Sequence, residues 1–234
     1  MTFFNPVEPI IRRKQEALDF QDRQGLLSLE MKIGQKTVIS VFYTRIDQVF
    51  VLWGLICAAI FVTAQFAPIS WVIQAGLWSV LTLLGTVGMV VLTHFWVKVE
   101  GLRWVLFCWV ALMLSGVALT DLSIFLSWGQ ILMNLCPMWL GLSAIGYICT
   151  GIGMRSRAFT LASLVHLLGI AVLPYLGSWQ FLSTGIVIAA SLLVFAGVQW
   201  DMRPPIQYEF LTPEQKRFNE QQYRLRQVPM YVKA

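Results

Sequence analysis

Two histidines, four cysteines, one serine in a small-residue run and two isolated carboxylates are the side chains that could do chemistry between the charged ends of this 234-residue chain. A bis-histidine haem needs both ligands at one level. His166 falls near the middle of one apolar run, and His94 only a few residues from the end of another. At helical rise the two differ in depth by about 9 Å, so they do not make a pair. His166 alone, with a Trp or Phe ring beside it, could hold a tetrapyrrole (chlorophyll or haem), and it is the one cofactor-binding candidate. The plainer role is a hydrogen bond across helices to Ser, Thr or backbone. Cys57, Cys108, Cys136 and Cys149 show no C-x-x-C spacing, so neither a disulfide framework nor a zinc site is indicated and no metal ligand is assigned. They read as small hydrophobes. Glu100 stands beside Lys98 and Arg103, which suggests a local ion pair. Asp121 is a single charge at the edge of an apolar run.

Ser143 raises the question of nucleophilic catalysis. Gly141-Leu142-Ser143-Ala144 resembles the opening of the G-x-S-G motif of rhomboid proteases, which also have a six-helix core, and the resemblance implies a Ser143–His166 dyad. It covers four residues. The fourth position is Ala rather than Gly, and His166 falls in the fifth apolar run where the rhomboid pattern has it in the sixth. No His or Asn is placed to supply the oxyanion hole that acyl transfer requires. Read as residues, Gly141, Ser143, Gly146 and Thr150 form a small-residue face that lets helices approach closely, as do Gly85 and Gly88. No catalytic residue is assigned, and the chain is not expected to be an enzyme.

The elements that would position these residues are apolar helices. Hydrophobic residues make up 57% of the chain and charged residues 12%, about half the charge of an ordinary soluble domain. Six runs are long enough to cross a membrane: Val49–Phe66, Trp71–Val97, Trp104–Thr120, Ile131–Met154, Ala158–Pro174 and Trp179–Gln199. The predicted fold is all-α, a polytopic membrane protein of six transmembrane helices in three hairpins. Of the 17 Lys and Arg, seven precede the first span and six follow the last, with two in each of the second and fourth gaps and none in the others. Basic residues stay on the cytoplasmic side, so both termini are expected there. The parts are then a cytoplasmic N-terminal tail (1–47), a six-helix transmembrane domain (48–200) and a cytoplasmic C-terminal tail (201–234). The first 47 residues contain no apolar h-region of a signal peptide, so the first span is expected to serve as the insertion signal and stay in place.

Local signals fill in the tails. Glu8-Pro9 can open a helix running to Gln24 and stopped by Gly25. Leu27 to Ile33 alternates, Thr37 to Tyr43 is β-branched and aromatic, and Gly34-Gln35 can turn them into a hairpin. Arg203-Pro204-Pro205 reads as a stiff exit. Thr212-Pro213-Glu214-Gln215 reads as a capping box opening a helix to about Arg226, with Phe218, Gln222 and Leu225 on one face. Ser-Trp precedes each even-numbered span at Ser70, Ser127 and Ser178, where Ser would cap the helix and Trp would sit at the headgroups. Trp53, Trp78, Trp109 and Trp139 lie deeper, and need packing neighbours or a bound ring system.

These features exclude more functions than they select. No Asp, Glu, Lys or Arg falls inside a predicted span, which argues against proton pumps, cation exchangers and voltage sensors. Mixed-sign tails argue against nucleic acid as a partner. The expected function is a non-catalytic accessory subunit or assembly factor of a larger membrane complex, in a prokaryotic plasma (inner) membrane or a thylakoid membrane. Its partners would be membrane lipid and other subunits or further copies of itself. No cofactor is required by this reading, and a tetrapyrrole or a bound lipid is the candidate. The alternatives are a single-His tetrapyrrole protein and a transporter of a neutral or amphipathic solute. The transporter needs a polar cavity lined by Thr82, Thr86, Asn134, Ser143 and His166.

Overall fold

Residues 3–5, 8–33, 36–203 and 209–227 are described by the computed structural model. The N-terminal segment does not form the predicted helix from Glu8 to Gln24. It makes a two-residue strand β1 (Ile11–Arg12) and a single helical turn α1 (Phe20–Arg23). The apolar face of that segment is weak, and pairing with the other end of the chain overrides helix propensity. The hairpin does form: β2 (Leu27–Ile33) pairs antiparallel with β3 (Lys36–Tyr43), from Leu27 opposite Tyr43 to Ile33 opposite Lys36. The Gly34-Gln35 turn lies outside the described residues.

The chain is mostly helical beyond this point. α2 (Arg45–Phe66) opens on Thr44, whose hydroxyl accepts the Asp47 N–H at 3.3 Å while the Asp47 carboxylate accepts the Thr44 N–H at 2.7 Å. That reciprocal cap satisfies two donors that a helix start leaves open. α3 (Trp71–Val99) opens on Ser70, whose hydroxyl accepts the Ile73 N–H. α4 (Arg103–Phe125) follows, then one turn α5 (Gly129–Leu132) and α6 (Leu135–Met154). α7 (Arg157–Val172) leads through a 3₁₀ stretch, Leu173–Trp179, into α8 (Gln180–Gly197). β4 (Gln199–Trp200) pairs antiparallel with β1, and α9 (Pro213–Gln227) closes the described chain.

Five helical stretches are long and apolar enough to cross a membrane: α2, α3, α4, α6 and the 41-residue stretch Arg157–Gly197. The last is not one rod. Gly177 has φ 53° and ψ −121°, a conformation open to glycine and closed to most other residues, and it breaks the stretch into α7 and α8, which pack on each other. The fourth predicted span is also broken, since Met133 and Asn134 separate α5 from α6. Ser70 caps as predicted, whereas Ser127 sits at φ 52° and Ser178 within the 3₁₀ stretch, and neither caps a helix. The connection between α7 and α8 is held instead by Gln65, which accepts the Leu182 N–H at 3.1 Å and donates to the Ser178 carbonyl at 3.1 Å.

α2 lies between α3 and α8, α4 between α3 and α6, and α7 against α6 and α8, so the six long helices close around one axis. Two glycines of the predicted small-residue faces, Gly85 and Gly146, seat large rings, and so does Gly116, which the sequence did not single out, whereas Gly88 meets Leu52. Gly85 packs on Trp53 and Ile56, Gly116 on Trp139, and Gly146 on Trp109, with no room for a Cβ at any of the three. Gly141 faces α7 rather than this seam, with Ile170 nearest.

Candidate functional site

The close packing around the axis is incomplete. A cavity of about 160 Å³ runs between α2, α3, α4, α6, α7 and α8. Trp78 lines one end and Trp96 the other, 18 residues apart on α3, so the cavity is about 27 Å long, close to the ~30 Å of a bilayer's hydrocarbon core. Its wall is almost wholly apolar and rich in aromatic rings. All four Trp residues that the sequence left without a role, Trp53, Trp78, Trp109 and Trp139, line it. Three have their indole N–H engaged away from the bundle's backbone, Trp78 on Thr63 Oγ1 (3.1 Å), Trp109 on Thr150 Oγ1 (2.9 Å) and Trp139 on Thr120 Oγ1 (3.2 Å). Those hydroxyls are in turn bound to carbonyls one turn back on their own helices, including Thr120 to Gly116 and Thr150 to Gly146. Most polar atoms of the wall are thus consumed within the protein. Trp53 Nε1 and the Tyr147 hydroxyl, also on the wall, are buried with no hydrogen-bond partner among the described residues, and the rest of the lining is mainly hydrocarbon.

The five residues that a polar path would need do not converge. Thr82 and Ser143 line the cavity. Thr86 is buried with its hydroxyl donated to the Thr82 carbonyl at 2.7 Å, and Asn134 is exposed with its amide on the Gln130 carbonyl. His166 is fully buried outside the cavity wall. Its Nδ1 lies 2.8 Å from the Ala162 carbonyl and its ring 4.8 Å from that of Tyr147. Its Nε2 has no hydrogen-bond partner among the described residues, and His166 is not on the wall of the axial cavity. Ser143 and His166 are therefore not brought together at a common space. Asp121 lies one turn inside α4 rather than at the edge of its span, and both its carboxylate oxygens accept from Ser79 on α3, at 3.0 and 2.9 Å. The four cysteines are free, and no cluster that could hold a metal ion occurs among the described residues.

The two tails close one end of the cavity. A second space of about 120 Å³ lies there, and Ile46 and Trp96 belong to the walls of both. This chamber is lined by ionisable side chains from α1, α3, α9 and the N-terminal segment. Lys14 pairs with Asp47 at 2.7 Å, Arg226 with Asp19 at 2.8 Å, and Arg12 with Glu8 at 4.0 Å. Asp22 accepts the Trp96 indole N–H at 2.8 Å. Glu100 is almost fully buried and accepts from Gln21 at 2.9 Å, and Gln21 accepts from Asn219 of α9 at 2.9 Å. The partner of Glu100 among the charges is Arg203, at 3.8 Å, not the predicted Lys98 or Arg103, which face the Phe210 ring. Burial, with Asp22 beside it and against the pull of Gln21 and Arg203, raises the Glu100 pKa to about 8. Burial, with Asp19 nearby, raises Asp22 to about 6 against the Trp96 hydrogen bond and Arg226.

α9 starts as the sequence predicts, with reciprocal hydrogen bonds between Thr212 and Gln215. Its buried face is different. Asn219 and Gln222 turn inward and Leu225 outward, because the helix packs on the polar tail rather than on lipid. Two residues that sequence reasoning passed over fasten this end. Asp201 accepts from Ser156 Oγ (2.9 Å), from the N–H groups of Arg157 and Ala158 (3.0 Å each) and from Arg157 Nε (2.8 Å), capping the start of α7 from beyond α8. Arg203 donates to the Gly153 carbonyl (2.9 Å) and the Glu100 carbonyl (2.8 Å), capping the ends of α6 and α3. An anion at a helix start and a cation at two helix ends each complement the macrodipole. The only sequence signal was a charge pair two residues apart at the end of the last apolar run. No family model, no curated protein and no solved structure matches this chain.

Proposed function

We propose that this protein is a non-catalytic, multi-pass membrane protein that holds one long apolar chain, a lipid or an isoprenoid, in the axis of its bundle. In this reading six helices span the membrane, α7 and α8 being the last two, and both tails lie on the cytoplasmic side of a prokaryotic plasma membrane or a thylakoid membrane. The packing of Lys14, Arg157, Arg203 and Arg226 around one end of the bundle supports that sidedness.

The observation that carries the proposal is the apolar cavity itself. Protein interiors are close-packed, and a void of this size lined by hydrocarbon forfeits contacts at ~24 cal/mol per Å³, or about 4 kcal/mol in all. A chain drawn from the bilayer recovers most of that loss. A polar solute would find few partners, since the Thr93, Thr120 and Thr150 hydroxyls are spent on backbone carbonyls, which leaves Trp53 Nε1 and the Tyr147 hydroxyl as the unpaired groups on a mainly hydrocarbon wall. Met113 lines the cavity, and Met113→Trp would fill part of it. Organic extraction and mass spectrometry of the purified protein should recover one long-chain species near one per protein, and several-fold less from the variant. Recovery of bulk lipid in the proportions of the host membrane, unchanged by the variant, would sink the proposal.

The accessory-subunit role fits alongside this one. Leu77, Val80, Leu84, Val87 and Val91 form an exposed stripe at heptad spacing along α3, the kind of seam on which another helix packs. Purification in mild detergent should then bring down partner subunits or further copies in fixed ratio, and a solitary chain in several such detergents counts against it.

A further inference from the structure

The charged chamber and the apolar cavity share a wall one side chain thick. Trp96 presents its ring to the cavity and its N–H to Asp22, and Glu100 follows one turn later on the same helix. A cavity for a hydrocarbon chain that ends against a closed set of ionisable groups has the layout of a site for an amphiphile. The balance of those groups indicates the head. Glu8, Asp19, Asp47 and Glu100 each have a cation, whereas Asp22 has no ion pair of its own among the described residues and accepts only the Trp96 N–H. Glu100 is 2% exposed, and its Oε2 has no hydrogen-bond partner, with Arg203 Nη1 stopping 3.8 Å away. Gln15 Oε1, also on the chamber wall, is a second acceptor without a donor. Five carboxyls thus face four cations, and the chamber lacks donors at Glu100 Oε2 and Gln15 Oε1 and a cation at Asp22. Its carboxylates do not converge as metal ligands, so the missing charge is organic rather than a metal ion.

We propose that the two spaces form one site for a single-chain amphiphile with an ammonium head, the chain lying in the axial cavity and the head against Asp22 and Glu100. This rests on the reading of the cavity as a chain-binding space. Trp96 swings aside to join the two spaces and surrenders its hydrogen bond on Asp22 to the ammonium. Burial has already raised the proton affinity of both carboxyls, and a cation between them relieves that.

The test uses the full chain in lipid nanodiscs and three photoreactive probes with the same diazirine-bearing hexadecyl chain, ending in an ammonium, a hydroxyl or a carboxylate. Crosslinks to the peptide carrying Met113 and Val117 report a chain in the cavity. The ammonium probe is expected to label that peptide at a concentration at least tenfold below the other two. Glu100→Gln and Asp22→Asn should each bring the ammonium and hydroxyl probes to within about threefold of one another, in protein that remains monodisperse on gel filtration. Two variants keep the test decisive should one of them fail to fold. Equal labelling by all three probes in the wild-type chain overturns the ammonium head and leaves the chain site standing. No labelling of the cavity wall by any probe overturns both. Displacement of the hexadecylammonium probe by ethylammonium at a similar concentration overturns the joined site, because the chamber would then bind small amines without the chain.

Discussion

Among single residues, Trp96 and Glu100 matter most, because they tie the tails to the axis of the bundle. Glu100 also sets a pH dependence. Its folded pKa of about 8 lies above its ordinary value of 4.5, so between those values the folded protein keeps a proton that the unfolded chain has lost. The stability this contributes is complete below about pH 4.5 and is lost as pH rises through 8. Melting temperature should therefore fall as pH is raised from 6 to 8, by an amount equivalent to about 2 kcal/mol, and Glu100→Gln should flatten most of that slope. A wild-type slope of the opposite sign would show that the carboxyl is ionised throughout. Sequence reading assigned Glu100 to Lys98 and Arg103, its neighbours in the chain. Nothing local marks Arg203 as its partner, since the two are brought together only when the C-terminal tail folds back under α3. The deep Trp residues were legible for the opposite reason: an indole far from the headgroups must find a ring, a hydroxyl or a ligand, and depth can be read from position in an apolar run.

At the scale of elements, the start of α7 depends on a residue that is not part of it. Ser156 occupies the N-cap position but makes no side-chain cap, and Asp201 supplies it instead. Burial pushes the Asp201 pKa up, but Arg157, the two backbone N–H groups and Ser156 outweigh it and hold the carboxyl below its ordinary value. Asp201→Asn keeps the shape and loses the charge. It should cost about 2 kcal/mol, seen as a lower melting temperature and faster hydrogen exchange at Arg157 to Phe159, and a loss under about 0.5 kcal/mol would mean the cap is redundant. Some element boundaries were legible, because Ser70 and Thr212 can cap the helices that follow them, whereas the Thr44 cap that starts α2 four residues before the apolar run at Val49 was not read. The exceptions are instructive. The N-terminal helix failed where β1 found β4, and of the α9 face Phe218, Gln222 and Leu225 only Gln222 is buried, with Asn219 beside it and Leu225 outward, because the helix packs on the polar tail.

For the whole molecule, sidedness is the claim with the simplest check. A cysteine in place of Pro68, in a chain whose four native cysteines are changed to Ala, should react with a membrane-impermeant maleimide from the side opposite the tails. A cysteine at Glu209 should react only from the side where the chain is made, and the reverse result would turn the protein over. The mostly helical, membrane-spanning character was legible from the apolar runs, but the closing of the helices around one axis and the cavity were not, because a void is a property of how side chains fail to meet, and no single position records it. Asp201 and Arg203 also have a consequence in time. Both follow the last long helix, so every apolar segment is synthesised before the clasp for the starts and ends of three of them exists. Making the helices and fastening them are thus ordered in time, with the fastening last.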